Sequence, residues 1–145
     1  MDLRRIVTGL TDTGQSTDWI DGPATNAVSR RPGHESRLIW VTDESPARFD
    51  GDRDEGARDI GRPPPPNGTI FRVIEIAPGC VAEMHRTDTI DYVVVISGAI
   101  EMELETGAVH LNAGDVIVQR GTLHNWVNNG TEPCRVAVVL VDGHR

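Results

Sequence analysis

The sequence contains no lysine, and all fourteen of its basic residues are arginines. That absence excludes Schiff-base chemistry, a covalently held pyridoxal phosphate and a Walker-type phosphate loop, each of which needs an ε-amine. Arginine-only usage is something genomic base composition can produce, and it carries no function on its own. Cysteine is nearly as scarce, with only Cys80 and Cys134 present. In a chain without an export signal they read as free thiols in a reducing compartment. Cys80 is better taken as a small buried hydrophobe than as the partner of His85 in a Cys–His pair. No stretch approaches the roughly 18 consecutive apolar residues of a membrane span. The N-terminal "MDLRRIVTGL" lacks the apolar core of a secretory signal, so a cytoplasmic location is expected. Positive charge is also in deficit. A net charge of −8 argues against nucleic acid and anionic membrane surfaces as partners, because both require a basic face. Part of the acidity is local, in "DESPARFDGDRDEGARD", which reads as a solvated loop.

What is present suits one globular domain. The 145 residues, 38% apolar and 25% charged, are enough to bury a single core. The chain changes character near residue 68. Residues 1–67 form an N-terminal extension belonging to the same domain, with scattered strand signals in "RRIVTGL" (4–10), "TDWI" (17–20) and "SRLIWVT" (36–42). The polar stretch 43–68 ends in "GRPPPPNG". Four successive prolines fix φ and remove four donors, so this segment reads as a semi-rigid extended connector: a lid, a dimer arm or a mobile insertion. Over 68–145 strand signals crowd together: "TIFRVIEI" (69–76), "IDYVVVIS" (90–97), "AIEMELE" (99–105), "AVHL", "DVIVQ", "HNWV" and "RVAVVLV" (135–141). In "AIEMELE", Ile100, Met102 and Leu104 alternate with three glutamates, the period-2 signature of a half-buried strand. No segment has a helical period. Many short strands separated by Gly, Pro and Asn turns predict an all-β sandwich or barrel.

Period-2 parity also sorts the candidate site residues. In "HRTDTIDYVVVISG" (85–98), His85, Thr87 and Asp91 share parity with Val93 and Val95, and so face the interior if the turn at 88–90 keeps register. His124 and Trp126 share a face of their own. Two neutral imidazoles and one carboxylate are the composition of a facial triad for Fe(II) or a similar divalent ion. Burying those groups is costly without a compensating partner, which a cation would supply. Trp126 reads equally as a pocket wall for a flat ligand or as a core tryptophan. Glu83 lies on the face of His85 and is a candidate acid or base, with a solvated strand end as the other reading. His110 reads as outward and inert, Tyr92 as packing, and His34 and His144 as loop and terminal residues of little consequence.

Residues 79–128 resemble the two motifs of the cupin superfamily. Gly79, His85, Thr87, Asp91 and Gly98 keep the spacing of the first motif, Gly-x5-His-x-His-x3-Glu-x6-Gly. Gly114, Gln119, Gly121, His124 and Asn128 follow the second, one residue short after the first glycine. The resemblance implies a double-stranded β-helix (a jelly-roll barrel) with a divalent metal, Fe, Zn, Mn or Ni, held by His85, Asp91 and His124. The departures are Thr87 in place of a histidine, Asp91 in place of a glutamate and Gln119 in place of a proline. Aspartate reaches about 1.5 Å less far than glutamate, one carbon–carbon bond, and a threonine hydroxyl is a poor ligand for a first-row ion. Protein ligands would number three, leaving positions open for water, substrate or dioxygen. Glu83, Thr87 and Trp126 are the candidate catalytic residues around that centre.

Two functions compete. The first is a metalloenzyme acting on a small organic, secondary-metabolite-like substrate by oxidation, isomerisation, decarboxylation or elimination. The second is a non-catalytic cupin that binds a small ligand, with a degenerate or absent metal site. Resemblance to cupins also implies a homodimer, and "RRIVTGL" has the form of a strand able to extend a neighbour's sheet.

Overall fold

A computed structural model describes residues 1–80 and 82–145. It is all-β apart from one 3-10 turn, Glu55–Ala57. The strands are β1 (Arg4–Leu10), β2 (Ser16–Pro23), β3 (Ala27–Arg31), β4 (His34–Thr42), β5 (Thr69–Ile76), β6 (Thr89–Ser97), β7 (Ala99–Leu104), β8 (Gly107–Asn112), β9 (Val116–Arg120), β10 (Asn125–Val127) and β11 (Cys134–Asp142). A large sheet of order β3-β4-β5-β11-β6-β9 faces a small one of order β10-β7-β8, and β1 and β2 form a separate hairpin. This is the double-stranded β-helix that the resemblance implied. Among the described residues no helix is long and apolar enough to cross a membrane.

The strands form where alternation predicts them. Along β6 every odd residue from Thr89 to Val95 is buried and every even one is exposed. Ile100 and Met102 of β7 point into the core, where they meet Val93, Val95, Val136, Val138 and both free cysteines. Burial pushes the Cys134 thiol up to about 11, so it stays protonated and inert. Gly98 takes a φ of +74° between β6 and β7, and a Cβ there would lie 2.4 Å from the Pro133 carbonyl oxygen. That turn admits glycine alone.

The large sheet runs across residue 68, because β3 and β4 lie beside β5. The extension therefore supplies part of the barrel wall. β3, "AVSRR", has no apolar alternation and no strand was expected there. Its hydrogen bonding to β4 holds it, with a bulge between Val28 and Arg31. The proline-ending segment is tied down along its length. Arg5 forms a two-point pair with Asp54 (2.8 and 2.6 Å), and Asn26 donates to the carbonyls of Gly56 and Arg58. Asp142 accepts from the Asn67 amide at 2.7 Å. β1 pairs with β2 of the same chain, so one of its edges is already taken.

The second-motif asparagine has a structural role. Asn128 is 1% exposed; its Nδ2 donates to the carbonyls of Ile76 (2.9 Å) and Glu132 (2.8 Å), and its Oδ1 accepts from the Gly130 amide. Replacing it strands buried backbone groups of two separate segments. Asn128→Ala is expected to cost about 3 kcal/mol in urea denaturation, and an unchanged midpoint would contradict that role.

Candidate functional site

One end of the barrel holds aliphatic packing, and the other opens into a cavity of about 140 Å³. That is comparable with the ~150 Å³ apolar cavities that take up benzene. Its walls come from the inward faces of β5, β6 and β11, from β3 and β4, from residues 85–87 and from His124 and Trp126. The inward face of β6 changes from polar to apolar along the strand. On β6, Thr89 and Asp91 give way to Val93 and Val95, and all four are buried.

His85 and His124 are brought together by their own backbones. Each amide donates to the other residue's carbonyl, at 2.9 and 3.0 Å, forming an isolated antiparallel bridge. The imidazole centroids lie 4.5 Å apart with planes tilted by 54°. The Nδ1 of His85 is 2.9 Å from the Glu83 carbonyl oxygen, and the Nδ1 of His124 is 2.9 Å from that of Thr122. A carbonyl can only accept, so each Nδ1 carries a proton and donates it there. Burial, reinforced by the neighbouring His85, holds the His124 imidazole below its ordinary value and hence neutral. Trp126 meets His124 edge-on at 6.0 Å and lines the cavity, so it is a pocket wall.

Asp91 lies in the same cavity but is otherwise engaged. Its Oδ1 accepts from the Thr89 hydroxyl at 2.6 Å and its Oδ2 from the Gln119 amide at 3.2 Å. Thr87 bonds to Thr89 at 2.7 Å, and Gln119 in turn accepts from the Thr122 amide and hydroxyl. The carboxylate is thus the centre of a chain of hydroxyls and amides. Among the described residues no group of three or more His, Cys, Asp or Glu side chains is arranged to hold a metal ion. The Nδ1–carbonyl contacts of the two imidazoles are those that metal-ligating histidines make, and each oxygen of the Asp91 carboxylate accepts one hydrogen bond and keeps a further lone pair. The residue types suit an ion, but as built the three side chains are not gathered around one point.

Parity correctly groups His85, Thr87, Asp91 and Val93 around one cavity. It fails for Glu83. Residues 82–84 form no strand, so alternation does not hold there; the Glu83 side chain is exposed and only its carbonyl serves the site. His34 also differs from expectation, since it opens β4 and lines the cavity. With it come Ser36, Arg30, Arg31, Arg62 and Arg72, none of which was singled out from the sequence. Arg72 had a usable signal: it shares parity with Ile70, Ile74 and Ile76 on β5, a cation in phase with a core face. His110 is exposed and bonded to Glu101, and Tyr92 is exposed on the outer side of β6.

The family model for the cupin domain matches residues 72–141. The chain is 39% identical over 113 residues to a cupin-domain-containing oxidoreductase of Neurospora crassa, srdD, covering 74% of this chain and 58% of that one. It is 36% identical over 116 residues to a second such oxidoreductase, fogC of Aspergillus ruber, covering 74% and 56%. The chain thus spans a little over half the length of these curated relatives. Among solved structures, the RmlC-like cupin of Shewanella frigidimarina superposes with a TM-score of 0.58 at 11% identity, covering 83% of this chain and 86% of that one. That likeness is one of fold alone.

Burial, with Arg31 and more distant arginines adding to it, lowers the His34 imidazole to about 4. An unfolded histidine titrates near 6.5. Between those values the unfolded chain binds more protons, so His34 makes stability fall as pH drops through the window from about 6.5 to about 4. His34→Gln is expected to flatten the pH dependence of the melting temperature across that window; an unaltered slope would refute this assignment.

Proposed function

The chain belongs to the cupin superfamily through the domain at residues 72–141, and on that premise we propose that it is a small-molecule enzyme whose chemistry takes place at the His85–His124 pair. The observation that carries the proposal is the pair itself: two imidazoles with ring centroids 4.5 Å apart, both with Nδ1 donating to a carbonyl, lining one cavity. Nε2 atoms so held can take a proton from a bound carbon or oxygen acid, or polarise it. Val93, Val136, Val138 and Leu140 give the cavity an apolar floor, and Trp126 offers a surface for a flat ring. The names of the similar fungal proteins favour oxidation among the possible reactions, ahead of isomerisation, decarboxylation or elimination.

A divalent ion, Fe, Zn, Mn or Ni, enters this proposal only through the two imidazole nitrogens, where it would act as a Lewis acid or bind dioxygen. Asp91 belongs to the hydrogen-bond chain that fixes one wall of the cavity. A second reading, a binding cupin without turnover, is favoured by that same engagement of Asp91.

The proposal extends to a cytoplasmic homodimer. Two free buried thiols suit a reducing compartment. Ile90, Tyr92, Val94 and Ile96 on β6, with Val116 and Val118 on β9, make an exposed apolar face at the end of the large sheet. A second copy would cover it. Sedimentation as a dimer at micromolar concentration is expected, and a monomer would refute this part.

Two measurements test the catalytic reading. Deleting the gene and comparing metabolites should reveal a missing product and an accumulated precursor, restored by the wild type but by neither His85→Ala nor His124→Ala. An unchanged profile, or rescue by both variants, would leave the binding reading in its place. Metal analysis of the protein purified without chelators should give near-stoichiometric metal in the wild type and Asp91→Asn, and little in either histidine variant. Metal lost equally from Asp91→Asn would restore the three-ligand set; no metal bound or taken up would remove the ion from the proposal.

A further inference from the structure

The cavity has a second polar end that the imidazole chemistry does not use. Arg30 and Arg31 of β3, Arg62 of the proline-ending segment and Arg72 of β5 all line it, together with His34 and Ser36 of β4. Among the described residues none of these four guanidiniums pairs with a carboxylate, although the other arginines of the same half of the chain (4, 5, 37, 48, 53 and 58) all do. Arg72 is 6% exposed and has a single protein acceptor, the Gly61 carbonyl, at 2.6 Å. The Nε of Arg31, Nδ1 of His34 and Oγ of Ser36 are buried without a hydrogen-bond partner among the described residues. The buried Arg72 guanidinium and the orphaned polar atoms beside it are costly in the absence of an anion, and the exposed Arg30 and Arg62 add positive charge at the rim. Arg30 is within electrostatic reach of two of the others: burial and Arg62 depress the Arg30 guanidinium, and burial and Arg30 depress that of Arg72.

The topology separates this cluster from the imidazoles in a defined way. The arginine end rises from β3, β4 and β5, the carboxylate end from β6, and β11 runs between them with Val136, Val138 and Leu140 facing the cavity. Val138 pairs with Arg72 on one side and Val93 on the other, so Arg72 stands level with a residue two places from Asp91. Two strand spacings, about 10 Å of backbone, separate the two ends.

We propose that the arginine end is an anion subsite that binds a carboxylate or phosphate on the substrate, so that the ligand is a small organic acid whose apolar body lies across β11 towards His85 and His124. Guanidiniums match both head groups through paired N–H donors. Ser36 and His34 offer the remaining short-range hydrogen bonds. This inference rests on the cavity being the ligand site, the footing of the function proposed above, but not on turnover.

Calorimetric titration in chloride buffer tests it with three isosteric probes: benzoate, phenyl phosphate and neutral benzamide. One of the two anions should bind about tenfold or more tightly than benzamide, the contribution of one charge-assisted hydrogen bond, and the stronger anion identifies the head group. Arg30 and Arg62 are exposed and safe to alter, so Arg30→Gln and Arg62→Gln should each weaken the anion severalfold without affecting benzamide. Arg72→Met should weaken it further. The His85→Ala/His124→Ala double variant should keep the preference within about twofold, which separates this subsite from the catalytic reading. Equal binding of all three probes, no binding of any, or a preference indifferent to the arginine variants would overturn the proposal. An unchanged metabolite profile with the anion preference intact would strike only the catalytic reading.

Discussion

The pairing of β11 with β5 on one side and β6 on the other is the constraint on which the rest of this structure depends. Cys134, Val136 and Val138 are buried along that seam and supply the hydrophobic stabilisation of the barrel's centre. The same seam is the floor of the cavity. Because β11 holds β5 and β6 two strand spacings apart, it fixes the distance between a cationic wall and a wall built on Asp91. Without it the polar residues of both strands would be isolated buried groups, each with its own desolvation penalty.

The cavity is consequently bipolar. At one end, the polar groups have partners: Asp91 accepts from Thr89 and Gln119, and the two Nδ1 atoms donate to carbonyls. At the other, Arg31, His34 and Ser36 keep orphaned atoms and four guanidiniums lack counter-charges. A fold can carry such a deficit where a ligand makes it good, and binding energy drawn from a remote charged group can position the reacting end of a substrate. The contrast also separates roles that motif spacing alone assigns together. Asn128, at a motif position, holds backbone segments to one another, whereas Arg62, outside any motif, reaches the cavity.

Alternation made much of the barrel legible in the sequence. β6 obeys it from Thr89 to Val95, which turns Asp91 and Val93 inward, and His85 and Thr87, which precede that strand, line the same cavity. It failed where chain geometry is irregular. Glu83 lies between β5 and β6, outside any strand, so parity did not apply to its side chain. Arg30 and Arg31 are consecutive residues that both line the cavity, beside a bulge that breaks alternation. β3 itself, being polar, takes its strand conformation from the edge of β4, and a strand formed by its neighbour has no signature in its own residues.

By itself the sequence determined the all-β class, the inward face of β6 and the types of residue available for chemistry, with lysine excluded. These depend on local periodicity and composition, which short stretches of chain carry. Only the tertiary structure decided that His85 and His124 share a backbone bridge, that Asp91 turns to Thr89 and Gln119, and that four arginines from three separate segments meet at one wall. Strand order and register set these encounters. Both are fixed by pairing between residues as far apart as Thr69 and Val141, and no local window of sequence contains that information.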